Sequence, residues 1–206
     1  ADYFFEQPKN RPKDLPEGKP IAGFYGSISG WLDQALMTHA ARMMPHWNFV
    51  FIGPKRCATD QLDALPNVYF LGEKAHKDLP SYVNYWQVSL LPFKDNAQIR
   101  ACNPLKLREY LAIGKPIVTT YFPALKPYKE WVSAVNVEDR DCFCKAIECA
   151  GGEVDNQNKK KQERINQVSN HSWKARAIEI EREILERIQN DKINNQFLNR
   201  KTTNQG

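Results

Sequence analysis

The chain has 206 residues and a formal net charge of +5, with 42% hydrophobic and 26% charged residues. This length fits one large domain, or one domain with tails, and the balanced composition excludes a wholly disordered chain. The slight basic excess forms no block, which argues against a nucleic-acid partner. No apolar run approaches the roughly 18 residues that a transmembrane helix needs.

Residues 1–19 have the pattern of a linker, because Pro8, Pro12, Pro16 and Gly18 interrupt a charged stretch. The segment is too charged to be a signal peptide. Since the chain starts without a methionine, we expect it to be a piece of a longer protein.

Short apolar runs that stop at glycine or proline alternate with helical patterns along the rest of the chain. The predicted strands are Pro20–Tyr25, Asn48–Ile52, Asn67–Leu71, Gln87–Leu91, Pro116–Thr120 and Ala134–Val137. Helices are predicted over about 33–44, with Asp33 as the N-cap, over 79–85 and 103–113, in a segment through Cys149, and over about 158–189 with a break near Asn170.

This alternation predicts an α/β fold with a doubly wound, mainly parallel, six-stranded Rossmann-like sheet and C-terminal helices. We expect one domain over residues 20–187 and a polar, frayed tail over 188–206. In such sheets ligands bind at the carboxyl ends of the strands. The loops at that edge are Gly26–Gly30, Gly53–Arg56, Gly72–Lys77, Pro92–Asn103 and Thr119–Pro123.

The segment leading into the predicted helix at 103–113 is the most informative. Asn103 is a favoured N-cap, Pro104 suits the first helical position and Gly114 suits the end. A helix N-terminus favours anions. Polar residues recur there at every third position: Arg100, Asn103, Lys106 and Glu109. This arrangement suits a phosphorylated sugar, with the phosphates near the cation and the hydroxyls near the carboxylate; an ordinary capped helix with a solvated ion pair is the alternative.

Two other loops could contact phosphate. The segment Gly23–Gly30, which runs from the first strand into its loop, has three glycines, although their spacing does not match the dinucleotide fingerprint. Lys55 and Arg56 follow the second strand. Plain turn glycines and exposed loop cations are the alternatives.

Cysteine and histidine give no catalytic or metal pattern. The five cysteines, Cys57, Cys102, Cys142, Cys144 and Cys149, contain no CxxC pair, so we expect free thiols in a cytoplasmic protein. The four histidines are scattered, and we interpret each as a surface or packing residue: His39, His46, His76 and His171.

Residues 23–130 resemble the C-terminal, donor-binding domain of GT-B glycosyltransferases in the large retaining family 4, the group 1 glycosyl transferases. The similarity lies in the motifs Gly23–Asp33, Phe51–Pro54, Asn67–Gly72, Leu91–Phe93 and Asn103–Val118. Later segments, Phe143–Ile147 and Ser172–Arg176, resemble the closing helices of that family.

The resemblance implies a site for a nucleotide-diphosphate sugar. Glu109 matches the second Glu of the family's E-x7-E motif, which holds the donor ribose, whereas Ala101 stands in place of the first Glu. A subgroup pattern R-A-x-N-P-x-K matches Arg100, Asn103 and Lys106 more closely. The donor diphosphate or sugar would then contact residues in this set: Gly26, Ser27, Lys55, Arg100, Asn103, Pro104, Leu105 and Lys106.

The activity that the resemblance implies is hexosyl transfer with retention and no obligatory metal ion, in bacterial polysaccharide biosynthesis. The acceptor, a saccharide or lipid-linked molecule, would be held by an N-terminal domain outside this chain, so we expect the isolated chain to be inactive. A non-catalytic nucleotide-binding or assembly module and a sugar-nucleotide epimerase-like domain are the alternatives. The Lys159–Lys161 run could touch the inner face of the membrane, or it could be a solvated helix face.

Overall fold

A computed structural model describes residues 2–6, 10–152, 157–169, 178 and 180–188 of the chain. Residues Tyr3–Val168 form one compact unit. The described residues from Ser169 onward belong to a second unit, in which residues 180–188 are helical.

The first unit is built on a six-stranded sheet whose strand pairs are all parallel. The strands are β1 (Ile21–Tyr25), β2 (Asn48–Ile52), β3 (Val68–Phe70), β4 (Val88–Leu91), β5 (Ile117–Thr120) and β6 (Ser133–Val135). Their order across the sheet is β3-β2-β1-β4-β5-β6. The predicted fold class is confirmed, and the chain reverses direction across the sheet between β1 and β4, where such folds form a binding crevice.

Helices connect the strands and cover the sheet. Their bounds are α1 (Gln34–Met43), α2 (Asp60–Asp63), α3 (Leu79–Val83), α4 (Ala97–Arg100), α5 (Leu105–Ile113), α6 (Arg140–Gly151) and α7 (Gln157–Ser169). Every residue of β1, β2, β4 and β5 is buried, as parallel strands are when helices cover both faces of the sheet. The predicted cap of α1 is confirmed, since the Asp33 side chain accepts a hydrogen bond from the Leu36 amide at 2.9 Å.

The segment before β1 packs against the sheet domain. Phe4 and Leu15 are 1% and 3% exposed. Asp14 forms an ion pair with Lys74 at 2.6 Å and accepts a hydrogen bond from the Tyr82 hydroxyl at 2.9 Å. These residues therefore belong to the same compact unit as the sheet, and a further role of residues 1–19 as a linker stays a prediction.

Two expectations for the C-terminal part fall mostly beyond the described residues. Helix α7 ends at Ser169, next to the predicted break, whereas Asn170, the segment around Trp173 and residues 189–206 of the predicted tail lie outside the described residues. In the described ranges, no helix combines the length and the apolar character needed to cross a bilayer.

All five cysteines are free thiols. The expectation of unpaired cysteines is confirmed.

Candidate functional site

A cleft of about 330 Å³ opens at the carboxyl ends of β1 and β2. The loop after β3 forms one wall and the first turns of α5 form the other. The lining residues are Tyr25, Gly26, Ile52, Gly53, Pro54, Glu73, Lys74, His76, Leu79, Leu105, Lys106 and Glu109. The cleft therefore lies at the edge where the fold predicts a ligand, beside the switch point between β1 and β4.

Glu109, on α5, is a buried acid in this cleft. Its side chain is 5% exposed. The Tyr25 hydroxyl donates a short hydrogen bond to Oε2, and Nε2 of His76 lies 2.8 Å from Oε1. Because a buried carboxylate is costly unless it is hydrogen bonded, these two partners fix its position.

Tyr25 is itself held in place by Tyr110, which lies beneath it. Its ring meets that of Tyr110 edge to face, with centroids 5.1 Å apart. Its backbone amide donates to the Tyr110 hydroxyl at 3.2 Å. Burial raises the pKa of Tyr110, so this phenol stays protonated. The hydroxyl of Tyr25 is thus aimed at Glu109 by contacts on both its ring and its backbone.

Lys106, on the first turn of α5, supplies a positive charge to the same cleft. Its Nζ lies 5.8 Å from the ring centroid of Phe24 and 5.5 Å from that of Trp31. Burial lowers the pKa of Lys106, and the negative charge of Glu109 partly opposes that shift. A half-buried ammonium held over aromatic faces is suited to an anionic ligand, whose charge would compensate the burial.

Gly26 allows this lysine to lie close to the end of β1. Its φ is +132°, and a Cβ atom there would lie 2.3 Å from Cε and 2.8 Å from Nζ of Lys106. The backbone of the cleft floor and the ammonium therefore meet at a point that only a glycine permits.

The start of α5 differs by one residue from the sequence prediction. Pro104, not Asn103, is the N-cap, and no side chain bonds to the first amides in its place. Asn103 is exposed, and its Oδ1 accepts from Arg108 Nη2 at 3.3 Å. Proline suits this N-cap position because its ring fixes φ near −65°, close to the −69° of the extended N-cap backbone. The Leu107 amide donates to the Pro104 carbonyl oxygen at 3.2 Å. The Leu105 and Lys106 amides come before the helical hydrogen-bond pattern begins, at the end of a helix that favours anions.

The structure brings together four of the predicted donor-site residues and leaves the others outside the cleft. Gly26, Leu105, Lys106 and Glu109 line it. Ser27, Asn103 and Pro104 adjoin these residues in sequence without lining the cleft.

The two remaining predicted cations have carboxylate partners of their own. Lys55 pairs with Asp63 at 2.5 Å and lies 3.7 Å from the centroid of the Phe70 ring. Arg100 makes a two-pronged pair with Asp95, at 2.6 and 2.8 Å. Both have a structural explanation that does not involve a ligand.

Arg100 and Asp95 border a second cavity of about 460 Å³, at the ends of β5 and β6. The regularly spaced polar residues from Arg100 to Glu109 therefore do not lie on one continuous surface. Helix α4 ends at Arg100, and α5 starts anew at Leu105.

Tyr25 and His76 are the contributors that the residue patterns did not single out. In the sequence, Tyr25 is the last residue of an apolar run that predicts a strand, and His76 is an isolated histidine. The rule that ligands bind at strand ends did select the loop Gly72–Lys77, which contains His76. In the described part of the chain, no group of three or more His, Cys, Asp or Glu side chains could hold a metal ion.

The chain is similar to proteins of one functional kind. A family model described as glycosyl transferases group 1 matches residues 19–150. TuaH of Bacillus subtilis (strain 168), named as a teichuronic acid biosynthesis glycosyltransferase, is 34% identical over 136 residues, which are 62% of this chain and 34% of that protein.

Solved structures share the fold at low sequence identity. A glycosyltransferase from Rickettsia africae ESF-5 matches with a TM-score of 0.69 and 13% identity, over 88% of this chain and 54% of its own. HepE of Anabaena, solved with UDP and glucose, matches with a TM-score of 0.61 and 14% identity. This match covers 83% of this chain and 48% of HepE. Sucrose-phosphate synthase of Thermosynechococcus elongatus matches with a TM-score of 0.64 and 17% identity. This match covers 85% of this chain and 47% of the synthase. The chain thus spans about a third of its curated relative and about half of these solved chains.

Proposed function

Because the chain belongs to the group 1 glycosyl transferases and has the fold of one half of a GT-B enzyme, we propose that it is the donor-binding domain of a sugar-transferring enzyme. It binds a nucleotide-diphosphate sugar in the cleft at the ends of β1 and β2. It transfers the sugar, with retained anomeric configuration, to a saccharide or lipid-linked acceptor. The observation that carries this proposal is that the buried Glu109 carboxylate and the Lys106 ammonium, three residues apart on α5, line the same cleft.

Glu109 binds the ribose of the donor. Ribose offers two neighbouring hydroxyl groups, and a carboxylate accepts both through its two oxygens. Each oxygen of Glu109 has several acceptor positions, so the bonds from Tyr25 and His76 leave capacity for the sugar. Those two bonds also hold the carboxylate in place before the donor arrives.

Lys106 and the first turn of α5 bind the diphosphate. During transfer the bond between the anomeric carbon and a diphosphate oxygen breaks. The acceptor oxygen bonds to that carbon and passes its proton to the departing diphosphate. Negative charge grows on the departing diphosphate. A fixed ammonium and the amides of a helix start stabilise that charge without rearranging, which lowers the barrier. We therefore propose that transfer needs no obligatory metal ion.

Acceptor binding belongs to a part of the enzyme beyond this chain. The chain spans about a third of its curated relative, whose name refers to teichuronic acid biosynthesis, and this supports a role in bacterial polysaccharide synthesis. We propose that an N-terminal domain completes the site, and that this chain alone binds donor weakly and transfers little. The Lys159–Lys161 run on α7 would favour contact with the inner face of the membrane, where lipid-linked acceptors reside.

A thermal-shift series with UDP-, GDP-, ADP- and CMP-sugars tests the donor site. One nucleotide class is expected to raise the melting temperature, and Glu109→Ala should abolish that rise because the ribose loses its acceptor. Glu130→Ala, at an exposed position that does not line the cleft, is the matched control and should keep it. An undiminished shift in Glu109→Ala would refute the ribose assignment.

A non-catalytic role is the second candidate. Ala101 stands where the family motif has an acid, and it is the exposed C-cap of α4. Its methyl side chain offers no oxygen to the donor sugar. Nucleotide binding without transfer, measured in a protein that includes the N-terminal half, would favour an assembly module over an enzyme.

A further inference from the structure

The segment before β1 reaches the two aromatic residues that hold Glu109. Phe4 lies in a short 3-10 helix, Asp2–Phe5, and is 1% exposed. Its ring centroid lies 5.3 Å from that of His76 and 6.2 Å from that of Tyr25. Phe4 therefore packs against both side chains that hydrogen bond the proposed ribose-binding carboxylate.

His76 needs such support more than Tyr25 does. Tyr25 sits at the end of a buried strand, with Tyr110 beneath it. His76 opens a three-residue 3-10 turn after residues 71–75, which adopt no regular structure. Its side chain is 47% exposed. Backbone hydrogen bonds tie Leu71 and Gly72 to β2. Among the described residues this pairing ends there, so beyond Gly72 side-chain contacts largely set where the imidazole of His76 points.

A second contact ties the same loop to the same N-terminal segment. Lys74 lines the cleft and pairs with Asp14 at 2.6 Å. Burial tends to raise the pKa of Asp14, but hydrogen bonds from Lys74 and Tyr82 outweigh it, so the pKa is lowered and the pair is charged at neutral pH. The loop after β3 thus has the cleft on one side and the N-terminal segment on the other.

We infer that Phe4 is a positioning residue for the donor site. It holds the imidazole of His76 in the orientation that hydrogen bonds Glu109, and so sets how well this carboxylate accepts the donor ribose. This inference rests on the proposed function. It adds that the chain segment leading into the domain is part of the donor site, so any movement of that segment changes donor affinity.

Isothermal titration with UDP, GDP and ADP, using the nucleotide that binds best, measures the effect. Phe4→Ala should raise the dissociation constant by about fivefold, a coupling typical of side chains in contact. Phe5→Ala, which truncates the neighbouring, partly exposed ring, should change it by less than about twofold. Phe4→Leu keeps most of the apolar bulk and should retain most of the affinity.

A double-mutant cycle separates positioning from general destabilisation. In a His76→Ala background the Phe4→Ala change should cost little further affinity, because the imidazole through which it acts is gone. An equal loss in both backgrounds, or unchanged affinity in Phe4→Ala, would overturn the inference while leaving the proposed function intact. Failure of the unmutated chain to bind any nucleotide would refute the proposed function itself.

Discussion

At the scale of single residues, the proposed donor site depends on one close approach between a backbone and a side chain. The end of β1 and the Lys106 side chain come so near at Gly26 that a methyl group would lie 2.3 Å from Cε. The lysine can then contact a ligand and the helix start together. Gly26 is in this sense as much a part of the site as the two charged residues.

We predict that Gly26→Ala removes nucleotide binding and destabilises the domain by about 1–3 kcal/mol, the usual cost of a strained backbone conformation. The φ of +132° disfavours alanine, and the new methyl group displaces Lys106. Gly30→Ala is the matched control, because its Cβ would meet nothing within 4 Å. Titration calorimetry and thermal melts on both variants check this; binding that survives in Gly26→Ala would show that the ligand does not approach here.

The roles of single residues in the site are the part that the sequence predicts least well. Lys55 is predicted as a donor contact because it follows the second strand, and Arg100 because it fits the pattern R-A-x-N-P-x-K before the helix. Their partners Asp63 and Asp95 lie close in sequence, but only the fold brings the charges together. Conversely, Tyr25 and His76 have ordinary sequence contexts, and their roles depend on their distances from Glu109 across the sheet edge.

At the scale of elements, the strands and the short helix α3 were predictable, whereas the four-residue helices α2 and α4 were not. Each strand is an apolar run stopped by glycine, proline or a polar turn, so its position follows from local signals. Helix α4 has only four residues, too few to show a helical period, although Asn96 caps it through the Ile99 amide at 2.9 Å. The same lack of periodicity concealed α2.

One buried side chain joins several elements. The Asn67 amide, just before β3, donates to the carbonyl oxygens of Ala41, Met44 and Trp47 at 3.0–3.1 Å. It thereby satisfies backbone acceptors at the end of α1 and before β2, which could not reach water.

We predict that Asn67→Asp lowers the free energy of unfolding by about 2–4 kcal/mol at neutral pH, because a buried carboxylate would face carbonyl oxygens with no donor to offer. Exposed Asn103→Asp is the control, and it should change stability by about 0.5 kcal/mol or less. Urea denaturation of the two variants is the measurement. Equal stability would mean that the three carbonyls do not depend on the Asn67 amide.

At the scale of the whole molecule, the described sheet domain presents one edge to a ligand. The cleft, the start of α5 and the second cavity all lie at the carboxyl ends of the strands. The fold and this edge followed from the alternation of strands and helices. The base, the sugar and the acceptor did not, because they depend on loop geometry that the alternation of strands and helices does not determine.

The central claim is that α5 binds both the ribose and the diphosphate of one donor, and a crystal structure of the chain with bound nucleoside diphosphate tests it most directly. We predict ribose hydroxyls within hydrogen-bond distance of Glu109 and a phosphate oxygen beside Lys106 Nζ. A nucleotide bound at another edge of the domain, or in the cleft with its ribose turned away from Glu109, would contradict the account.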